Sequence, residues 1–374
     1  MAFSFSVYNH IQQLPDTWHR IADKHKSFSS TKIGVQDLAN IENLTSYYLM
    51  VSKNDEIIFI AYYQLLFVKP IHFNLGNKKV QQFFLDLALK IVKPTLLVAG
   101  DLFRHDENFF HFELEVTPEE RAKIYQDALN FMIAHTNASG IFLKDIPADI
   151  AKGIQDDPSY IAMQDDISME MKIPEHWKSL SDYEKDLKHK YLQRSKKMRK
   201  AFTGVRIQDL KKYAIDIYKL YAQVTQKQIV RMGLLNEAFF LKLKDAFKKH
   251  YRVCGFFLDD QLIAFSSAII HDTVYDMNYI GIDYTYNQSH HLYFNILFHC
   301  LESAIETNAS TLILGRTALE AKAIMGCTPD YRFSFYKLRN VIVNWFFQRV
   351  SAYFSESQGD KWKERHPFKS SFYH

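Results

Sequence analysis

YRVCGFFLDDQLIAFSSAIIHDTVYDMNYIGIDYTYNQSHHLYFNILFHCLESAIETNASTLILG, residues 251–315, is the stretch that decides the fold. RVCGFFL, QLIAFSSAII and VYDMNYIGIDY have the length and β-rich composition of strands, and the first two meet across Asp259-Asp260. HHLYFNILFHCLESAIE then changes period: Ile296, Leu297, Cys300, Leu301 and Ala304 recur at the spacing of a core-facing helical stripe. TLILG, a short helix from Thr317 and YRFSFYKLR carry the order on to Arg339. Three antiparallel strands followed by a helical crossover make a mixed sheet that must splay where the crossover strand joins. Such a splay leaves backbone groups open to an extended ligand.

A looser copy of the same order precedes this stretch. After helices from about Asp16 and about Ser30, YYLMVS turns at Asn54-Asp55 into IIFIAYYQLLF. The amphipathic helix VQQFFLDLALKIV leads to TLLVAG, and Thr117-Pro118-Glu119-Glu120 is a capping box with proline at the first helical position. That helix runs to about His135, before strand GIFLKD and the strand-like pair YIAM and ISMEMKI. Thr136-Asn137-Ala138-Ser139 ends the long helix of this half, and Thr307-Asn308-Ala309-Ser310 ends that of the other. Identical tetrapeptides at one junction point to a diverged tandem duplication. The seam falls near Ile173-Pro174, where Ser181-Asp182-Tyr183-Glu184 opens a long helix. The expected domains are therefore 1–173 and 174–374.

Bulk composition narrows the class. At 374 residues, two cores are expected rather than one. A net charge of +4 does not by itself imply nucleic acid. Cys254, Cys300 and Cys327 form no CxxC pair and are expected as buried thiols in a reducing compartment. The N-terminus lacks a signal-peptide pattern, and no apolar run reaches the length of a membrane span, so a cytoplasmic protein is expected. HExxH, paired Cys/His zinc spacing, GxxxxGK[ST] and GxSxG do not occur. Metal-dependent hydrolysis and P-loop phosphoryl transfer therefore have no support, and no metal is expected.

Four stretches carry a family resemblance: YEKDLKHKYLQRSKKMRKAF, LYAQVTQKQIVRMGLLNEAFFLKL, YIGIDYTYNQSHHLYFNILFHCLESAIE and LGRTALEAKAIMGCTPDYRF, the last with Gly315, Lys322 and Gly326 in spacing. In these the chain resembles tandem GNAT-fold proteins of the FemAB-like class. That class comprises bacterial GNAT-family N-acyltransferases, including the peptidoglycan aminoacyl-transferases. The resemblance implies an α/β (α+β) fold of two GNAT-like domains, each a mixed, mostly antiparallel sheet flanked by helices. The first domain would be degenerate and the second would carry the site. It implies transfer of an acyl group from acetyl-CoA or another acyl-CoA, or of an aminoacyl group from aminoacyl-tRNA. The acceptor would be the amine of a small molecule or cell-wall precursor. One departure matters: Tyr286-Asn287-Gln288-Ser289-His290-His291 has no glycine where acetyl-CoA-binding members carry a glycine-rich turn.

The candidate residues follow from that frame. The turn Ser289, His290, His291 and Leu292 opens the long helix, whose first N–H groups and dipole suit phosphate. The same residues also read as ordinary caps and surface histidines. Gly281 and Ile282 close the third strand, where backbone N–H groups would meet a thioester carbonyl. Asp283 is a candidate base or, more simply, a turn residue. Lys322 and Arg316 lie beside the expected splay as contacts for negative charge, and Tyr336 is a candidate general acid. Gln228 and Arg231 are candidates for binding the acceptor. The run from Lys185 to Lys200 would suit tRNA or an anionic precursor, or is simply a solvated helix. A non-enzymatic binding or scaffold protein on a degenerate transferase fold is the competing class.

Overall fold

The computed structural model describes residues 3–24, 35, 39–104, 109–113, 117–163, 167–199, 202–345, 348 and 363–372. The helix expected from about Ser30 lies largely outside them. The strands are β1 (Ser4–Tyr8), β2 (Leu44–Lys53), β3 (Glu56–Phe67), β4 (Thr95–Ala99), β5 (Phe110–Phe112), β6 (Gly140–Ile146), β7 (Ile161–Met163) and β8 (Ile167–Lys172). They continue as β9 (Val205–Arg206), β10 (Tyr251–Leu258), β11 (Gln261–His271), β12 (Val274–Ile282), β13 (Thr311–Gly315), β14 (Thr328–Tyr331) and β15 (Phe333–Leu338). The helices before the seam are α1 (Asp16–Lys24), α2 (Lys79–Val92), α3 (Pro118–Thr136) and α4 (Ala148–Gln155). After it come α5 (Leu180–Asp186), α6 (His189–Arg199), α7 (Leu210–Gln226), α8 (Glu237–Phe247), α9 (Tyr284–His290), α10 (Leu292–Glu306) and α11 (Leu319–Met325).

These elements build two mostly antiparallel sheets flanked by helices. One is 8-stranded, in the order β1-β2-β3-β4-β6-β15-β7 with β5 on β3. The other is 7-stranded, in the order β14-β8-β13-β12-β11-β10-β9. Each holds one parallel pair bridged by a long helix, β4 with β6 through α3 and β12 with β13 through α10. The compact units are not the contiguous halves 1–173 and 174–374. The first comprises Met1–Asp166, Gln228–Phe239 and Arg332–Gly359; the second comprises Ile167–Lys227, Phe240–Tyr331 and Asp360–His374. ISMEMKI (β8) therefore pairs with β13 and β14 in the second sheet, while FSFYKL (β15) pairs with β6 and β7 in the first. Alternation explains the fit: Met169 and Met171 enter one core and Phe335 the other. Hydrophobic alternation fixes which face of a strand is buried. It does not fix which sheet receives the strand.

Local chemistry sets the turns. Asn54-Asp55 and Asp259-Asp260 each place both residues at positive φ, the tight hairpin geometry that Asn and Asp tolerate. Thr117 and Glu120 cap reciprocally, at 3.3 and 3.1 Å, and open α3. Two other helices do not start where the sequence places them. Ser179 rather than Ser181 precedes α5, and the expected long helix breaks between Asp186 and His189. The helix expected from Thr317 begins at Leu319 behind Ala318, which sits at φ 54 without a side-chain cap.

The repeated tetrapeptide does the same work twice. Asn137 and Asn308 end the helices at φ 51 and 55, and Ala138 and Ala309 are buried. Thr136 and Thr307 hydroxyls donate to the carbonyls four residues back, at 2.7 and 2.8 Å. Each long helix supplies the core of its own unit. In α10, Leu292, Ile296, Leu297, Cys300, Leu301 and Ala304 are fully buried. The three thiols are buried as well, and burial pushes Cys254 up to about 11 and Cys300 and Cys327 up to about 12.

Candidate functional site

The second unit contains the splay that its strand order requires. β12 and β13 pair in parallel at Val274–Thr311, Tyr275–Leu312 and Asp276–Ile313 only, while β12 continues to Ile282. Two local features part them. Beyond Ile313, the pairing of β13 with β8 shifts register, and Gly315 takes φ 72 with open space around the position a Cβ would occupy. Backbone conformation, not crowding, thus requires this glycine. On β12, Met277 faces Ala268 and Ile280 faces Ser266, so Asn278 and Tyr279 form a bulge. The Ser267 hydroxyl fills it, accepting from Tyr279 N–H at 3.0 Å and donating to Tyr279 C=O at 3.1 Å.

Polar atoms in this region are left without partners. Among the described residues, the Asn278 carboxamide oxygen and the Tyr293 hydroxyl are buried and accept or donate no hydrogen bond. Burial raises the Tyr293 hydroxyl well above its ordinary range, with Cys327, Cys300 and Tyr284 adding to the effect. Buried polar groups almost always find a partner, so each of these atoms is open to a polar group of a ligand. Neither residue is a sequence candidate. The signal was an asparagine interrupting an apolar strand and the Ser266-Ser267 pair opposite it.

The sequence candidates divide between the units. Gly281, Ile282, Asp283, Ser289, His290, His291, Leu292, Arg316 and Lys322 belong to the second, whereas Gln228, Arg231 and Tyr336 belong to the first. Tyr336 is a strand residue of the first sheet, opposite Phe142 and Ile161. Gly281 does admit a close approach, but the approaching group is α7. A Cβ there would lie 2.3 Å from the Phe265 ring and 2.7 Å from the Leu220 backbone. Ile282 is core. Asp283 caps α9 through Oδ1, which accepts from Thr285 N–H at 3.0 Å and from the Thr285 hydroxyl. Lys322 is fully buried, and its ammonium donates to Gly315 C=O at 2.9 Å, fixing the end of β13 where the strands part. Arg316 follows that bend, half-buried.

The start of α10 is built differently from an open glycine turn. Helix α9 ends at His291, which is left-handed at φ 48, and α10 begins at the next residue. Tyr293 N–H is taken by the Asn287 side chain at 3.1 Å. The Asn295 carboxamide donates to the His290 and His291 carbonyls at 3.0 and 3.2 Å. Ser289 pairs with His290 at 2.8 Å, and Leu292 is core. Nearby, the Lys227 ammonium lies 3.1 Å from the centre of the Tyr284 ring. In the basic run, Arg199 pairs with Glu184 and Lys185 with Asp182, each at 2.8 Å, and Lys188 donates to His366 C=O. Lys190, Lys196 and Lys197 remain exposed.

Arg231 has a structural task in the first unit. Its N–H donates to His72 C=O at 2.9 Å and its Nε to Ile71 C=O at 2.8 Å. His72 is buried, its Nδ1 accepts from Lys69 N–H at 2.9 Å, and burial, then Arg231 and Lys69, lower its pKa to about 4. The folded state thus disfavours the imidazolium, so the unfolded chain binds the extra proton between about pH 6.5 and the folded value. The stabilisation is complete above about pH 6.5 and is lost as pH falls toward the folded value, amounting to at most about 3 kcal/mol. In urea unfolding at about pH 7 and about pH 4.5, His72→Phe should remove that part of the acid loss.

No family model matches the sequence, and no curated protein matches it. In solved structures the chain is similar to FemX, with TM-score 0.53 and 10% identity, covering 87% of this chain and 98% of that one. It is also similar to a tandem GNAT protein from the clavulanic acid biosynthesis pathway, solved without AcCoA. That likeness has TM-score 0.51 and 9% identity, covering 90% of this chain and 98% of that one. The molecule is a tandem GNAT-fold protein, the fold to which YIGIDY, the α10 sequence and the Gly315–Gly326 spacing pointed. No helix among the described residues is long and apolar enough to cross a membrane.

Proposed function

We propose that this protein moves an acyl or aminoacyl group from an activated carbonyl donor to an amine, at the parting of β12 and β13. The observation that carries this reading is the parallel pair that ends at Asp276 while β12 runs on to Ile282. A donor's reacting carbonyl lies along that freed edge, where main-chain N–H groups stabilise the oxyanion. Asn278 and Tyr293 offer their unpartnered polar atoms to the same ligand. The amine attacks the carbonyl carbon, and the C–N bond forms as the thiolate or ribose oxygen leaves. The ammonium proton passes to Asp283 Oδ2, directly or through water, and from there to the leaving group. Lys322 is a positioning residue that acts through Gly315.

The donor is a CoA thioester or an aminoacyl-tRNA. The side-chain cap that Asn287 places on Tyr293 N–H favours recognition of the donor by its carbonyl end over a pyrophosphate held at Ser289–Leu292. That same cap also favours a second reading, a binding protein on a transferase fold that has lost its donor. Titration calorimetry with acetyl-CoA, a long-chain acyl-CoA and an aminoacyl-tRNA separates the two. Saturable binding of one donor, weakened about tenfold or more by Asn278→Leu, is the expected result. Affinity for tRNA should fall steeply with salt, and that for an acyl-CoA only slightly. No binding by any of the three leaves the binding-protein reading in place.

A further inference from the structure

Helix α2 is amphipathic in the wrong sense for a helix that serves only its own core. Val80, Phe83, Phe84, Leu87 and Ile91 recur on one face, and they are exposed, from 45% at Leu87 to 71% at Ile91. The half-buried face holds Gln82, Leu85, Asp86 and Leu89. Gln82 accepts from Leu75 N–H at 2.9 Å and donates to Asp86 at 2.7 Å. The polar pair thus faces the protein and the aromatic pair faces solvent, the reverse of an ordinary surface helix. Phe67 and Ile71, earlier in the same excursion between β3 and β4, are exposed as well. Apolar surface of this extent marks a binding face.

Charge selects what covers it. Between Phe67 and Lys93 the chain carries Lys69, Lys78, Lys79, Lys90 and Lys93, and its one acid is Asp86, already bonded to Gln82. Apolar side chains flanked by lysine are suited to an anionic lipid surface, where insertion and electrostatic attraction add. A second copy of the chain fits less well. The lysines would repel their counterparts across a two-fold contact between identical faces. We propose that α2 docks this protein in the plane of an anionic phospholipid bilayer, with Phe83 and Phe84 inserted and the lysines at the headgroups.

The test is co-sedimentation of the full chain with vesicles of phosphatidylcholine alone and of phosphatidylcholine mixed with phosphatidylglycerol in equal parts. Binding to the anionic vesicles alone is expected, abolished by F83E/F84E. Lys90→Gln and Lys93→Gln should each weaken it about fivefold. These positions lie on an exposed face, so the variants should keep the wild-type thermal midpoint, and F83S/F84S repeats the test without added charge. Failure to bind anionic vesicles overturns the proposal, as does equal binding to both compositions. Sedimentation velocity supplies the third outcome: a dimer that F83E/F84E dissociates would put a second copy on this face and overturn the lipid assignment.

Discussion

Lys322→Ala should cost about 3 kcal/mol or more of folding stability, read as a lowered urea midpoint, while Lys322→Met should cost less than about 1.5 kcal/mol. The side chain is fully buried, so alanine leaves a cavity the length of its stem and removes the 2.9 Å bond to Gly315 C=O. Methionine keeps the volume and removes the desolvated charge, a change that buried sites often tolerate. The methionine variant therefore separates packing from function. If the ammonium fixes the bend at Gly315 that opens the sheet, Lys322→Met should fold normally yet bind donor about tenfold or more weakly. Wild-type donor affinity in folded Lys322→Met would reduce the lysine to core filling and remove it from the site.

Much of the architecture was legible because local chemistry and packing agreed. The hairpins at Asn54-Asp55 and Asp259-Asp260, the Thr117 cap, the twin tetrapeptides and the α10 stripe each formed where their residues required. The splay was legible as well, since a crossover strand laid against an antiparallel meander imposes it. The exchange of β8 and β15 was not, because MEM and FSF have the same alternation in either sheet. The contents of the site were the hardest part to read. Lys322 read as a contact for negative charge, and its burial, a tertiary property, was not visible, while the bulge at Asn278 depends on a register that only its pairing with β11 reveals. The glycine-free turn before α10 was visible in sequence, and its physical consequence, a helix start capped by Asn287, appeared only in three dimensions.

Gly281→Ala tests whether a glycine at this position serves the donor or the fold, and the expected answer is the fold. The Cβ of a strand residue projects from the face of the sheet, whereas a donor between β12 and β13 would lie along its edge. At Gly281 that face is occupied by α7, with the Leu220 backbone 2.7 Å and the Phe265 ring 2.3 Å from where the methyl carbon would go. Neither can yield cheaply. Phe265 is fully buried against Phe240, edge to face at 5.8 Å, and Leu220 is backbone in the middle of a helix. Overpacking of this kind costs about 1–3 kcal/mol, so the urea midpoint of Gly281→Ala should fall by that amount. Any loss of donor affinity should follow from α7 lifting off β12 and should scale with the loss of stability. An unchanged midpoint together with abolished donor binding would show the reverse, a glycine kept clear for the ligand, and would move the donor from the edge of the sheet to its α7 face.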